Sequence, residues 1–333
     1  MDIRDFSITV SAIGKMAPLM GQAEEKCILS PVYSFLNSYP HWSSNIADVR
    51  YLLFGLASLK AKWSVVNDGH RKLESTIIDM LKNENFNQVL LGDVVWSMGT
   101  MRAVWTEISS DLRETIMDNF DGLIGQMSAY SLSSNVWSLV KMGVTWSDFS
   151  PSSRTGLVQK LEAMTCMIAS DATMREGSSN KKKIRQFTPS QAAKLVWAIG
   201  RLDTSSSSTR FPLYIMEALL LQAGGTKKSK MGAAVNENQA LIGLAKSGVT
   251  WEYLSPKAKT GLLDQFQRVC QSSNDQALVS SVWAMGSLES SRDELGEEVQ
   301  GDMFRSIQRL LATSKLLSWG LSNVSSLHLC FIY

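Results

Sequence analysis

Lys15, Ser58, Thr100, Lys141, Arg201, Lys246, Ser287 and Asn323 stand at corresponding places in eight copies of one short motif along a 333-residue chain. Four of the eight are basic, and the others can donate or accept hydrogen bonds. The column therefore offers a row of contacts to a polar or anionic ligand. A solvated helix face that happens to carry lysines is the competing reading. A second column, Arg71, Arg113, Arg154 and Lys259, is basic in all four complete copies. It falls in the first turn of a helix, where the macrodipole disfavours a cation by roughly a few tenths of a kcal/mol. Cation–π packing on a preceding tryptophan, or a salt bridge to the next copy, would offset that and is the preferred account. A ladder of phosphate contacts is the alternative.

The elements that place these columns follow from the motif itself. It is clearest at 136–146, VWSLVKMGVTW, with a close copy GLAKSGVTW at 243–251. Counting the first aromatic as position zero, the equivalents are Ser11, Phe54, Trp96, Trp137, Trp197, Ile242, Trp283 and Trp319. Successive steps are 43, 42, 41, 60, 45, 41 and 36 residues. The residue after zero is small, the next apolar, and the one after that small again in seven copies. Apolar and small residues thus run nearly all the way round, as in a helix buried between neighbours. The glycines among them cost about 1 kcal/mol each relative to alanine, so a close helix–helix approach must compensate. Four residues past a second aromatic, Asn67, Ser109, Ser150 and Ser255 read as helix caps, two of them followed by proline. Each copy is then helix–turn–helix, and the fold expected is all-α, an α-solenoid of about eight repeats of roughly 40 residues.

Repeats one to four are expected over 1–173 and repeats five to eight over 188–333, the last one truncated. Between them 174–187, with Lys181, Lys182, Lys183 and Arg185, reads as a basic surface insertion. The tryptophans are read as core, because Ser11 and Ile242 also occupy position zero and fit a packing slot better than a stacking platform. The 44% hydrophobic content suffices for a buried core, and no apolar run approaches the ~20 residues of a membrane span. A formal charge of +2 means that any basic surface is local. Four distant cysteines form no zinc pattern and suit a reducing compartment. Three scattered histidines, and the lack of any nucleophile elbow, phosphate loop or HExxH, give no support to an enzyme, a metal, a cofactor or a small-molecule substrate. No transit peptide is visible, and both ends read as cut from a longer protein.

VWSLVKMGVTWSDFSP, LVWAIGRL and SVWAMGSL resemble octotricopeptide-type repeats of organellar proteins. They are similar too to the helical repeats of FAST-kinase-like and RAP-domain proteins. The resemblance implies single-stranded RNA binding in a mitochondrion or plastid, in transcript processing, stability or translation. It would make Lys15, Lys141, Arg201, Lys246 and Asn323, and the second column Arg71, Arg113, Arg154 and Lys259, the candidate contacts. The chain departs from the family in that no RAP domain follows the repeats within it, and Gly-Val-Thr-Trp replaces a proline-bearing signature. A protein–protein scaffold of armadillo/HEAT type is the alternative.

Overall fold

The computed structural model describes residues 3–20, 22–38, 45–67, 72–83, 87–171, 187–202, 211–224, 233–272 and 274–312. All regular structure among them is helical. The helices in order are α1 (Ile3–Met16), α2 (Gln22–Ser38), α3 (Ile46–Ser58), α4 (Trp63–Asn67), α5 (Lys72–Leu81), α6 (Gln88–Thr100), α7 (Ser110–Leu123) and α8 (Ala129–Met142). They continue with α9 (Pro151–Asp171), α10 (Pro189–Leu202), α11 (Leu213–Ala223), α12 (Ala233–Lys246), α13 (Pro256–Gln271), α14 (Asp275–Ser287) and α15 (Arg292–Ala312), the last kinked at Gly296. Contacts divide the chain into two compact units, Met1–Leu157 and Val158–Tyr333. The expected insertion at 174–187 falls almost wholly outside the described residues, as do Trp319, Asn323 and Arg71.

Seven copies of position zero lie on α1, α3, α6, α8, α10, α12 and α14. The local chemistry of these helices repeats. Nine residues before zero, Asn45, Asn87, Ser128, Thr188 and Asn274 each accept a backbone N–H of the first turn. Those caps satisfy donors that the helix itself leaves orphaned. Six residues after zero, the backbone turns left-handed at Lys60, Arg102, Gly143, Gly248 and Glu289, with φ between 54° and 99°. Where Ala61, Ala103, Val144 and Ser290 follow, their N–H groups reach back to Leu56, Met98, Leu139 and Met285. This Schellman closure ends the helix.

Within the first unit α1 packs on α3, α3 on α6 and α6 on α8, while α5 packs on α7. Within the second, α10 packs on α12 and α12 on α14, with α11 on α13 and α13 on α15. The small residues explain how closely the first helices approach. A methyl at Gly55 would stand 2.6 Å from the Val10 carbonyl oxygen, and one at Gly14 2.9 Å from that of Gly55. One at Gly243 would stand 2.5 Å from the Val196 oxygen, and one at Gly200 would run into the Gly243 carbonyl. Position +3 of one copy thus meets position +1 of the next, and the compensation expected for helical glycines is present.

Backbone and carboxylate bonds tie the second elements together. The Trp63 N–H donates to the Met101 carbonyl at 2.9 Å, and the Trp251 N–H to that of Leu288 at 2.6 Å. The N–H of cap Ser109 donates to Glu74 at 3.3 Å, and that of cap Ser255 to Glu217 at 2.7 Å. Asp121 receives the Ser152 hydroxyl at 2.5 Å and that of cap Ser150 at 3.4 Å. An acid on one second helix therefore steadies the start of the next. Ser109, Ser150 and Ser255 cap α7, α9 and α13 as expected. Asn67 does not head a helix but is the last residue of α4.

Gly243→Ala should lower stability by about 1–3 kcal/mol, because backbone, not a flexible side chain, blocks the added methyl. Gly122→Ala, in α7 with nothing within 4 Å of its added Cβ, should raise stability by about 0.5–1 kcal/mol. Urea unfolding of both variants checks the contrast.

Candidate nucleic-acid interface

On a straight helix, positions −7, −3, 0 and +4 fall within an arc of roughly 60°. In α8 these four, Tyr130, Ser134, Trp137 and Lys141, are the residues that remain at least partly exposed; every other residue of that helix is buried. The same edge is open on the other first helices. It carries Tyr51, Phe54 and Ser58 on α3, and Asp93, Trp96 and Thr100 on α6. In the second unit it carries Lys194, Trp197 and Arg201 on α10, Gln239, Ile242 and Lys246 on α12, and Ser280, Trp283 and Ser287 on α14.

This corrects the reading of the tryptophans as core. The second aromatic is core: Trp63, Trp105 and Trp251 are each 3% exposed, with Trp146 less enclosed. Position zero is not, apart from Ser11; Phe54, Trp96, Trp137, Trp197, Ile242 and Trp283 are all partly exposed. The reason is angular. Positions −1, +1, +2 and +3 already fill the arc that touches neighbouring helices, and zero falls in the gap. Phe54 and Trp96 of adjacent copies stack at 5.6 Å between ring centroids, an arrangement worth about 0.5–1.5 kcal/mol beyond the area it covers.

The first basic column lies along this edge. Lys141 Nζ sits 4.8 Å from the Trp137 ring centroid, and Arg201 Cζ 4.3 Å from that of Trp197. Both are cation–π pairs one helical turn apart. Partial burial, and then the Arg102 guanidinium, hold Lys141 below its ordinary pKa. Burial followed by Arg201 does the same to Lys246, and burial alone lowers Arg201. Like charges thus gather along the edge in each unit. Lys15 is exposed on α1, and Arg50 and Asp93 bridge α3 to α6 at 2.5 Å.

The second column is spent on packing. Arg154 lies 5.9 Å from the Trp146 ring, donating Nε to the Phe149 carbonyl at 3.0 Å and an Nη to that of Ser147 at 3.3 Å. Lys259 lies 5.8 Å from the Trp251 ring. Arg113 is half-buried, its Nε enclosed without a hydrogen-bond partner. The cation–π account of this column is the one that the geometry matches.

Two features of the edge are not evident from the motif. The −3 position carries Tyr51, Asp93, Ser134, Lys194, Gln239 and Ser280, polar in every described copy but the first, where the exposed Ile8 stands. Its signal was the spacing: it is the other i±3/i±4 neighbour of a zero position already flanked at +4. The left-handed +6 position needed backbone angles to be seen. Elsewhere, Cys270 is fully buried, and burial first, the Asp302 carboxylate second, push its thiol up to about 12, far from a nucleophile's range. Among the described residues no helix is long and apolar enough to cross a membrane, and no His/Cys/Asp/Glu group is placed to hold a metal. No family model matches the chain, and no curated protein matches it either.

Trp105→Ala should cost about 3–5 kcal/mol as a buried aromatic truncation. Trp137→Ala should cost less than half of that, and paired denaturant melts separate core from edge. A pH series tests the crowding of Lys141. Its folded pKa lies below the unfolded value, so in the window beneath 10.5 the unfolded chain binds more protons and stability rises with pH. Lys141→Met should therefore be at least as stable as the parent near neutrality, with any advantage shrinking as the pH climbs toward 10.5.

Proposed function

We propose that the chain is an α-solenoid of about eight helix–turn–helix repeats, of octotricopeptide type, that binds single-stranded RNA along the open edge of its first helices. The observation that carries this is the composition of that edge: an aromatic at zero in six of the eight copies, flanked by a polar group at +4 in all eight and at −3 in every copy but the first and last, which have Ile8 and Leu316. These aromatics supply stacking platforms that any base can use, worth about 1–3 kcal/mol per base. Varied neighbours supply hydrogen bonds to unstacked base edges. Lys15, Lys141, Arg201 and Lys246 supply phosphate contacts. Asn323 extends the column by its sequence position alone. The second basic column is left out of the contact set, its cations being held on Trp146 and Trp251.

In this reading the protein catalyses nothing and needs no cofactor. It is an adaptor that selects or protects a transcript, in the mitochondrion or plastid that the repeat resemblance implies. The scaffold reading draws on the formal charge of only +2 and on Tyr51 and Tyr130 on the edge, 45% and 69% exposed, since tyrosines are frequent in protein interfaces.

Fluorescence anisotropy with short single-stranded RNAs, titrated at several salt concentrations, tests the proposal. Binding should weaken with salt. The triple variant Lys141→Ala, Arg201→Ala, Lys246→Ala should make the log–log slope shallower by roughly 2, at about 0.7 for each phosphate no longer neutralised. Unchanged affinity in that variant would sink the edge assignment. No binding by the parent at low salt would turn the search to a protein partner.

A further inference from the structure

The left-handed +6 position closes the first helix in five copies, and glycine is the residue that takes such a backbone at least strain. Glycine is there in two of them, Gly143 and Gly248. The other three carry Lys60, Arg102 and Glu289, at φ 54°, 60° and 60°, all exposed. Lysine, arginine and glutamate are uncommon in this region and carry a strain there that glycine would not.

The choice follows a rule. In two of the four copies with a basic +4, +6 is glycine: Lys141 goes with Gly143, and Lys246 with Gly248. Where +4 is not basic, in Ser58 and Thr100, the cation stands at +6, as Lys60 and Arg102. Copies one and five have Lys15 and Arg201 at +4 and no cation at +6. Each of the first six copies thus presents one Lys or Arg in this two-place window, although these residues number 33 of 333. Copies seven and eight break the rule, with Ser287 and Glu289 in one and Asn323 and Ser325 in the other.

The helix dipole alone does not account for the pattern. A cation at an exposed helix end is favoured, but the same end carries Glu289 in copy seven, and the dipole gives no reason for +4 and +6 to alternate. The row also sets like charges against each other: Arg102 lowers the pKa of Lys141 on the next copy. Placing cations beside one another is what a polyanion requires of its binder.

We propose that Lys60 and Arg102 hold these left-handed positions because their charged groups contact the phosphate backbone of single-stranded RNA, each standing in for the cation that its own copy lacks at +4. The inference rests on the RNA reading above. It adds two contacts to the first unit and makes its ladder continuous through copies one to four: Lys15, Lys60, Arg102 and Lys141. Where +4 is polar and uncharged, Ser58 and Thr100 are left to address bases.

The test sets stability against binding. Lys60→Gly, Arg102→Gly and Glu289→Gly should each raise the thermal midpoint, since all three release the same backbone strain. In anisotropy titrations with a short single-stranded RNA pool, Lys60→Gly and Arg102→Gly should each weaken binding and make the salt slope shallower by about 0.7. Glu289→Gly should bind as well as the parent or better. Arg102→Gly combined with Thr100→Lys, which moves the cation from +6 to +4, should restore the slope. Lys60→Gly and Arg102→Gly variants that gain stability and keep the parent's affinity and slope would overturn the inference while leaving the RNA reading intact. Glycine variants that lose stability would overturn the strain argument. A parent that binds no RNA at low salt would fail the RNA reading and this inference together.

Discussion

Gly200 and Gly243 leave no room for a methyl group between α10 and α12, and the same contact recurs between Gly14 and Gly55. Backbone lies against backbone there. Side chains at +1 and +3 are glycine, alanine or serine in every copy but the fourth, where Val140 stands at +3, and the apolar residues at −1 and +2 fill most of the remaining buried arc. What is left over is the edge that α8 shows in full, spanning −7, −3, 0 and +4. The open edge is thus the geometric complement of the close contact. A larger residue at +1 or +3 would push neighbouring first helices apart and move the edges of both.

The second elements, whose Ile116, Phe120, Leu262 and Phe266 are fully buried, are also tied together by polar bonds. The Trp63 and Trp251 N–H groups bond to carbonyls just beyond the next first helix, while their rings are buried. Glu74, Asp121 and Glu217 each reach the cap of the following second helix. Removing Glu74 or Glu217 would leave a part-buried backbone donor unsatisfied, a penalty of about 1–3 kcal/mol. The two main-chain bonds fix the turns at Met101 and Leu288, next to the left-handed Arg102 and Glu289.

Much of this was legible in the motif. The helical class, the small residues at +1 and +3 and the serine caps before α7, α9 and α13 follow from one-dimensional spacing, because each is a local requirement met inside one copy. Position zero was misjudged for a reason of the same kind. A tryptophan between apolar neighbours looks like core, and only the angular position of the neighbouring helices shows that it lies in the unfilled arc. The caps Asn45, Asn87, Ser128, Thr188 and Asn274 keep a fixed distance of nine residues from zero and were readable from spacing. The left-handed backbone of Lys60, Arg102 and Glu289 was not, since lysine, arginine and glutamate are ordinary residues near any helix end.

The stacked pair Phe54 and Trp96 constrains how a strand could lie on the edge. A base inserted between two rings needs them about 7 Å apart, twice a carbon–carbon contact of ~3.5 Å. At 5.6 Å and 26° these rings already satisfy each other, so a base would stack on an outer face of the pair. Bases would then cover the strip rather than interleave with it. Lys141 and Arg201 lie over their own tryptophans at 4.8 and 4.3 Å, and each would have to swing aside or share its ring. Swinging aside exchanges a cation–π contact of about 0.5–1 kcal/mol for a charge-assisted bond to phosphate, which is stronger. It also frees the aromatic face that a base requires. In this geometry the cation and the ring would be released by the same movement, coupling backbone contact to base stacking within a single copy.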